Sequence, residues 1–327
     1  MNHLGSIPTA RLNADAAGIA EAARLVGAGG VVAFPTETVY GLGADATDPV
    51  SVAKIFAAKE RPRFNPLISH LPDLAAVRRE GVLNAAAERL AEAFWPGPLT
   101  LVVPASSDGS VCDFARAGLQ SVALRVPDHP IAREILSRAN RPIAAPSANR
   151  SGRVSPTTAE HVLADLDGRI AAILDGGTTR VGLESTVVAC FDGRVRLLRP
   201  GGVTREDLAR VLGAAPDEAD NSERPVGPGL LASHYAPRAA IRLNATRIEP
   251  GEAALLFGPA DASGVSEARA HFNLSPSGDL VEAAARLFAG LHRLDASGAS
   301  VIAVAPVPGS GLGEAINDRL RRAAAPR

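Results

Sequence analysis

Four polar segments of this 327-residue chain carry side chains that could do chemistry, each where a strand or helix gives way to a loop. Pro35-Thr36-Glu37-Thr38-Val39-Tyr40-Gly41 follows the apolar run 31–34 and puts hydroxyls and a carboxylate where open α/β sheets take their ligands. Lys59-Glu60-Arg61-Pro62-Arg63-Phe64-Asn65-Pro66 fixes cations in a proline-pinned loop that leads to His70, an arrangement suited to polyphosphate oxygens. Pro146-Ser147-Ala148-Asn149 ends a third apolar run, and Glu184-Ser185-Thr186 pairs with Leu198-Arg199-Pro200-Gly201 across two expected neighbouring strands. Each segment alone has a plain structural reading: a hydroxyl-bonded turn, or cations favoured at a helix C-terminus by about 0.3–1 kcal/mol. Together they supply hydroxyls, an amide and cations, with no histidine set beside a nucleophile. That inventory suits binding and phosphate neutralisation rather than covalent catalysis.

Several other chemistries are excluded. Neither lysine follows a glycine, so there is no Walker-type phosphate loop, and Gly309, Gly311 and Gly313 lack dinucleotide-fingerprint spacing. No G-x-S-x-G or H-E-x-x-H occurs. Cys112 and Cys190 are too few for a disulfide framework or a four-ligand zinc site, and read as reduced thiols. Net charge is −1, where proteins that coat nucleic acid by bulk charge carry a basic excess. No apolar run reaches about 18 residues and residues 1–10 do not resemble a signal peptide, so a soluble, cytoplasmic protein is expected. Lys54 and Lys59 are the only lysines among 34 basic residues, and a retained lysine can mark a place for a compact ammonium.

The elements that must position these groups follow from periodicity and caps. A helix is expected over 15–28, a strand over 31–34, a glycine-punctuated loop after it, and a helix from Asp48-Pro49 to about Glu60. Strands are expected at 99–105, 122–126, 142–147, 171–176, 185–190 and 194–199. Asp128 is expected to cap a helix over 130–139, Ser155-Pro156 to open one to about Leu166, and Thr204 with Asp207 to form a capping box for 205–213. Strands and helices alternate without a strict βαβ beat, which points to an α/β fold with a twisted, mixed sheet and packed helices. Residues 213–239 have linker composition. Beyond them, 241–245, 253–258 and 300–306 alternate with helices at 280–293 and 313–324, as in a small, three-layered, Rossmann-like or flavodoxin-like parallel domain.

FPTETVYGLG, KERPRFNPLISH, FWPGPLT, VALRVP, PSANRSG with SPTTAEHV, ESTVV, LRPGG and HYAP, in this order, resemble the YrdC-type threonylcarbamoyl-AMP synthase family in its long form. The resemblance implies a catalytic domain over 12–212, a linker and lid over 213–239, and a C-terminal domain over 240–327. It implies a nucleotidyltransferase that makes L-threonylcarbamoyl-AMP and pyrophosphate from L-threonine, bicarbonate and ATP, with Mg²⁺ accompanying the nucleotide. The product would feed the tRNA threonylcarbamoyl-transferase machinery. Carried over by position, Thr36, Thr38, His70, Arg125, Ala145 and Ser185 would form the threonine pocket. Lys59, Arg61, Asn65, Ser121, Ser147, Asn149, Ser155 and Arg199 would bind ATP, with His234 and Tyr235 folding back as a lid. Some members carry lysine where this chain has Asn65, which puts more weight on Lys59 and Arg61. Two other readings are an RNA-binding, ribosome-associated module and a carbamoyl-phosphate-dependent carbamoyl-adenylating enzyme, whose cysteine-rich zinc segments are missing here.

Overall fold

A computed structural model describes residues 8–62, 65–191, 193–218, 234–259 and 262–326. Arg63 and Phe64 of the second polar segment, and residues 219–233 of the expected linker, lie outside the described residues.

Eleven strands make the larger sheet: β1 (Ala10–Asn13), β2 (Val32–Pro35), β3 (Tyr40–Asp45), β4 (Ile68–His70), β5 (Leu99–Pro104), β6 (Ser121–Arg125), β7 (Ile143–Ala144), β8 (Ala172–Asp175), β9 (Thr186–Phe191), β10 (Arg194–Arg199) and β11 (Asp217–Glu218). They lie in the order β1-β8-β2-β3-β7-β4-β6-β5-β9-β10-β11, with parallel and antiparallel pairs mixed, as expected. The glycine-punctuated loop expected after β2 is instead the buried strand β3, antiparallel to it. Gly43 permits that close approach, since a Cβ there would stand 2.4 Å from a ring carbon of Phe34.

Helices α1 (Ala16–Gly27) and α5 (Pro130–Ala139) pack together over β2 and β8 through Ala22, Val26, Ile135 and Leu136. The opposite face is covered by α2 (Pro49–Lys59), α3 (Leu74–Glu80), α4 (Ala85–Phe94), α6 (Ala159–Leu166) and α7 (Arg205–Leu212), around Leu42, Ile55, Leu90, Leu101 and Leu124. In the β4–β10 half, the alternate positions facing away from that second helical layer form a separate apolar strip of Ile68, Val102, Ala123, Val187, Ala189 and Leu198. The same two-residue period puts His70, Thr100, Arg125 and Ser185 on that side, at one end of the strip.

Local expectations fail where side chains have other partners. Asp128 does not cap α5; it pairs with Arg180, and His129 occupies the N-cap without a side-chain bond. Ser155-Pro156 stays extended, bonded through the Pro156 carbonyl to Tyr40, and α6 starts at Ala159 under a Thr158 cap. The strand expected at 142–147 ends at Ala144: the Ala145 N–H still donates to the Ile68 carbonyl of β4, but the backbone of residues 146–148 bonds to Leu42 and Tyr40 of β3. Thr204 and Asp207 do form the capping box.

The second sheet is wholly parallel, with β12 (Ala240–Arg242), β13 (Ala253–Leu256), β14 (Ala270–Asn273) and β15 (Val301–Val304) in the order β12-β15-β13-β14. Helices α8 (Leu280–Asp295) and α9 (Leu312–Ala324) touch each other and share one face, through Leu255, Leu287, Phe288, Leu291, Ile316 and Leu320. Among the described residues no α-helix covers the other face, where the one helical turn is the short 3-10 segment Val265–Glu267. Ala254, Leu256 and Ala303 on the other face meet Ala245 and Ile248, in connections broken by Pro250-Gly251 and Gly258-Pro259. Among the described residues no helix is long and apolar enough to cross a membrane.

The two sheets' layers meet at Gly182. Its φ is +71°, and a Cβ there would come within 2.5 Å of the Ala285 backbone in α8. Gly182→Ala is expected to cost about 1–3 kcal/mol more, from overpacking, than Gly213→Ala. Gly213 shares the left-handed conformation, at +83°, but faces open space. Urea denaturation of both variants checks this.

Candidate active site

One cleft gathers most of the residues singled out in the sequence. It is lined by Thr36, Thr38, His70, Arg125, Ala145 and Ser185, and also by Arg61, Ser147, Arg199, His234 and Tyr235. The space between its walls is about 580 Å³, part of it open to solvent. The side chains arrive from strand ends: Thr36 and Thr38 from the β2–β3 turn, His70 from β4, Arg125 from β6, Arg199 from β10. His70 and Arg125 are register partners in a parallel pair.

Hydrogen bonds fix the first group. Thr36 Oγ1 lies 2.8 Å from Thr38 Oγ1 and donates to the Val39 carbonyl at 2.7 Å. Arg125 Nη2 donates to Glu37 Oε1 at 2.6 Å and to Thr38 Oγ1 at 2.9 Å, while its Nε reaches the Gly97 carbonyl at 3.3 Å. The guanidinium edge that carries Nη2 is therefore already occupied, and a carboxylate approaching it would compete with Glu37. Ser185 Oγ lies 2.7 Å from Thr100 Oγ1 and accepts from Arg199 Nη2 at 3.3 Å. His70 Nδ1 is buried without a partner.

The cations are crowded and short of counter-charge. Burial, then the nearby Arg199, pushes Arg61 down to about 10. Burial likewise lowers Arg199, and it lowers Lys59 well below the usual lysine value with help from Arg61. Burial and the surrounding Arg61, Lys59, Arg199 and Arg319 hold His234 far below an ordinary imidazole, so it is neutral. Such a field favours an anionic ligand.

Five of the sixteen residues are not in the cleft wall. Lys59 lies behind it: Nζ donates to the carbonyls of Ser147 and Asn149, each at 2.5 Å. The Asn149 side chain, which an extended strand would have put beside Ser147, turns away to the carbonyls of Arg150 and Arg153, at 2.8 and 2.9 Å. Ser155 Oγ donates to Glu184 Oε1. Asn65 is buried, with Oδ1 unpartnered. Ser121 starts β6, on the same face as Arg125 but about 13 Å away at roughly 3.3 Å per residue.

Three participants were given no site role by sequence reasoning. Glu184 lines the cleft and was legible only as a carboxylate beside Ser185. Glu37 pairs with Arg125, and both are buried. Arg319, in α9, donates from Nε to Glu184 Oε2 at 2.8 Å, and nothing in its Arg-rich helix end sets it apart. Burial would raise the Glu184 carboxyl, but Arg319, Arg199 and the Ser155 bond outweigh it and keep the group below the ordinary value.

A family model described as "Telomere recombination", of the Sua5, YciO and YrdC proteins, matches residues 24–201. A second, described as "Threonylcarbamoyl-AMP synthase, C-terminal domain", matches residues 203–325. The Threonylcarbamoyl-AMP synthase of Bacillus subtilis is 41% identical, over 94% of this chain and 93% of its own length. The chain belongs to the threonylcarbamoyl-AMP synthase family. The crystal structure of the Pyrococcus abyssi family member Sua5, solved with L-threonine, superposes with a TM-score of 0.87 at 37% identity, covering 97% of this chain and 98% of that one. Escherichia coli YciO shares the fold, with a TM-score of 0.51 at 22% identity over 59% of this chain and 95% of its own. As a threonylcarbamoyl-AMP synthase family member, the chain is an adenylate-forming enzyme, and neither alternative reading is favoured.

Burial first, and Arg125 second, push His70 down to about 3, so it is neutral at physiological pH. An unfolded histidine titrates near 6.5, so between these values the unfolded chain binds the extra proton. The stability contribution is complete above about 6.5 and is lost as pH falls toward 3. His161, pushed down to about 4 by burial and His292, acts in the same sense. Urea midpoints should drop from pH 7.5 to pH 5, and His70→Gln should make that drop shallower.

Proposed function

We propose that the cleft binds L-threonine beside the triphosphate of ATP and joins them through a carbamate. The observation carrying this reading is that the hydroxyl, imidazole and guanidinium set shares one cleft with Arg61, Arg199, His234 and Tyr235. The threonine amine takes up bicarbonate as carbamate with loss of water; a carbamate oxygen then attacks the α-phosphorus in line, and pyrophosphate leaves. Little covalent work falls to the protein, which aligns reactants and stabilises the departing charge. The neutral imidazole of His70 does not repel the α-ammonium of threonine, and its unpartnered Nδ1 can accept a hydrogen bond from it. Thr36, Thr38, Ala145 and Ser185 complete the amino-acid side. Arg125 adds positive charge toward the carboxylate while Glu37 holds it in place.

Arg61 and Arg199 face the phosphates directly. Lys59, Asn65, Asn149 and Ser155 act on them through the loops they brace, and Ser121 marks the far end of the apolar strip. His234 and Tyr235 close the nucleotide side. Mg²⁺ enters as part of the nucleotide substrate, which needs only one or two protein oxygens. The product passes to the tRNA threonylcarbamoyl-transferase machinery, and the free thiols Cys112 and Cys190 accord with a cytoplasmic setting.

Pyrophosphate release from ATP should require both L-threonine and bicarbonate; release indifferent to either one would overturn the assignment. Lys59→Ala should lower that rate by about tenfold or more, because the loop that carries Ser147 into the cleft loses both bonds from the ammonium and a misplaced binding group is costly. Lys54→Ala should leave it unchanged, because Lys54 Nζ bonds only the Gly29 carbonyl on the exposed side of α2.

A further inference from the structure

Arg319 is the largest fully buried side chain among the described residues, and it comes from the last helix rather than from the sheet that carries the cleft. Its Nε holds Glu184 Oε2 at 2.8 Å, its Nη1 holds Asp318 Oδ2 at 2.6 Å, and its guanidinium carbon stands 5.0 Å from the centre of the Tyr235 ring. Glu184 and Tyr235 both line the cleft; Arg319 does not. From the other side, α8 reaches the same point. His292 Nε2 lies 3.2 Å from the Ser155 carbonyl, and Ser155 Oγ bonds the second oxygen of Glu184. The backbone N–H of His234 donates to the carbonyl of Arg322, one turn on from Arg319. Tyr235 itself sits at a φ of +63°, in the left-handed region that a non-glycine residue occupies only when its surroundings impose it.

A buried ion pair is a poor way to gain stability, because apolar side chains of like volume commonly do as well or better. What this pair does supply is direction: it fixes a carboxylate and an aromatic ring in the wall of a cleft built by another part of the chain. We propose that Arg319 is a positioning residue of the adenylate-forming site, through which α9 sets the affinity for ATP by holding Glu184 and Tyr235 in place. The inference rests on the reading of the cleft given above. Loss of Arg319 lets Tyr235 relax away from the nucleotide side and frees Glu184 to turn its negative charge toward the phosphates, or to draw Arg199 off them.

The test is steady-state pyrophosphate release by the full-length protein, with KM for ATP and kcat measured separately. Arg319→Met keeps the volume and removes the charge, and should raise KM for ATP by on the order of tenfold or more, as expected when binding groups are displaced by about an ångström. Arg319→Lys should recover part of that loss. Glu184→Gln should raise KM in the same way, and the double variant should be no worse than Arg319→Met alone, since both act through one contact. The double variant also leaves neither member of the Glu184–Arg319 pair charged, so it keeps the test open if Arg319→Met alone does not fold. A purely structural role would reduce the active fraction, and hence kcat, with KM unchanged. A folded variant with wild-type KM for ATP, or with kcat alone reduced, overturns the inference while leaving the cleft assignment intact. A wild-type protein that releases no pyrophosphate overturns both.

Discussion

The structure turns on a local excess of positive charge that the protein does not neutralise by itself. Arg125 is answered by Glu37, and Arg319 by Glu184 and Asp318. Lys59, Arg61 and Arg199 bond instead to neutral oxygens: the carbonyls of Ser147, Asn149, Pro66 and Ser185, and the Ser185 hydroxyl. Burying cations costs several kcal/mol each unless they are compensated, and carbonyl dipoles compensate only in part. The depressed values of Arg61, Arg199 and Lys59 are the signature of that shortfall. The triphosphate proposed above would supply the missing charge, with most to gain where water has already been excluded.

Holding such a cluster together requires a sheet whose two faces have different duties. One face of the β4–β10 half is packed by helices around Leu90, Leu101 and Leu124. The other carries an apolar strip with polar residues at its end, which the two-residue period of each strand delivers without any special turn. The second sheet contributes through α8 and α9 rather than through its own strand ends. Its helices lie on one face only, and from there Phe288 stacks against Tyr235 with ring centres 5.6 Å apart. The C-terminal part thus backs the cleft wall without lining it, and touches that wall by packing and by charge.

Much of this was legible in the residues, because the cleft is made from strand ends and strand ends announce themselves as apolar runs closing in polar ones. Thr36, Ser185 and Arg199 could each be found that way, whereas Arg125 took its role from the resemblance alone and no strand was expected at Ile68–His70. What escaped depends on contacts distant in sequence. Tyr40–Asp45 reads as a loop because its glycines are poor strand formers, yet those glycines admit Phe34. Ser155 and Asp128 read as helix caps because their side chains suit the role, yet Glu184 and Arg180 claim them. Asn149 reads as a cleft residue only while the chain stays extended, and after Ala145 the pairing with β4 ends and the Asn149 amide turns to the carbonyls of Arg150 and Arg153. Arg319 was invisible, since its partner lies 135 positions earlier.

The two lysines show how position on a helix separates a bracing role from an incidental one. Five residues at 3.6 per turn place Lys54 and Lys59 about 140° apart on α2, so one faces outward and the other inward. Lys59 is 1% exposed, and its ammonium fits between two carbonyls of one loop. A guanidinium spreads its donors over a rigid plane and could not converge on both at 2.5 Å from a single atom. That loop carries Ser147 into the cleft, so the lysine both shapes the wall and places its charge directly behind it. In a chain that otherwise uses arginine for nearly every cation, the geometry of those two carbonyls is a sufficient physical reason for lysine at this position.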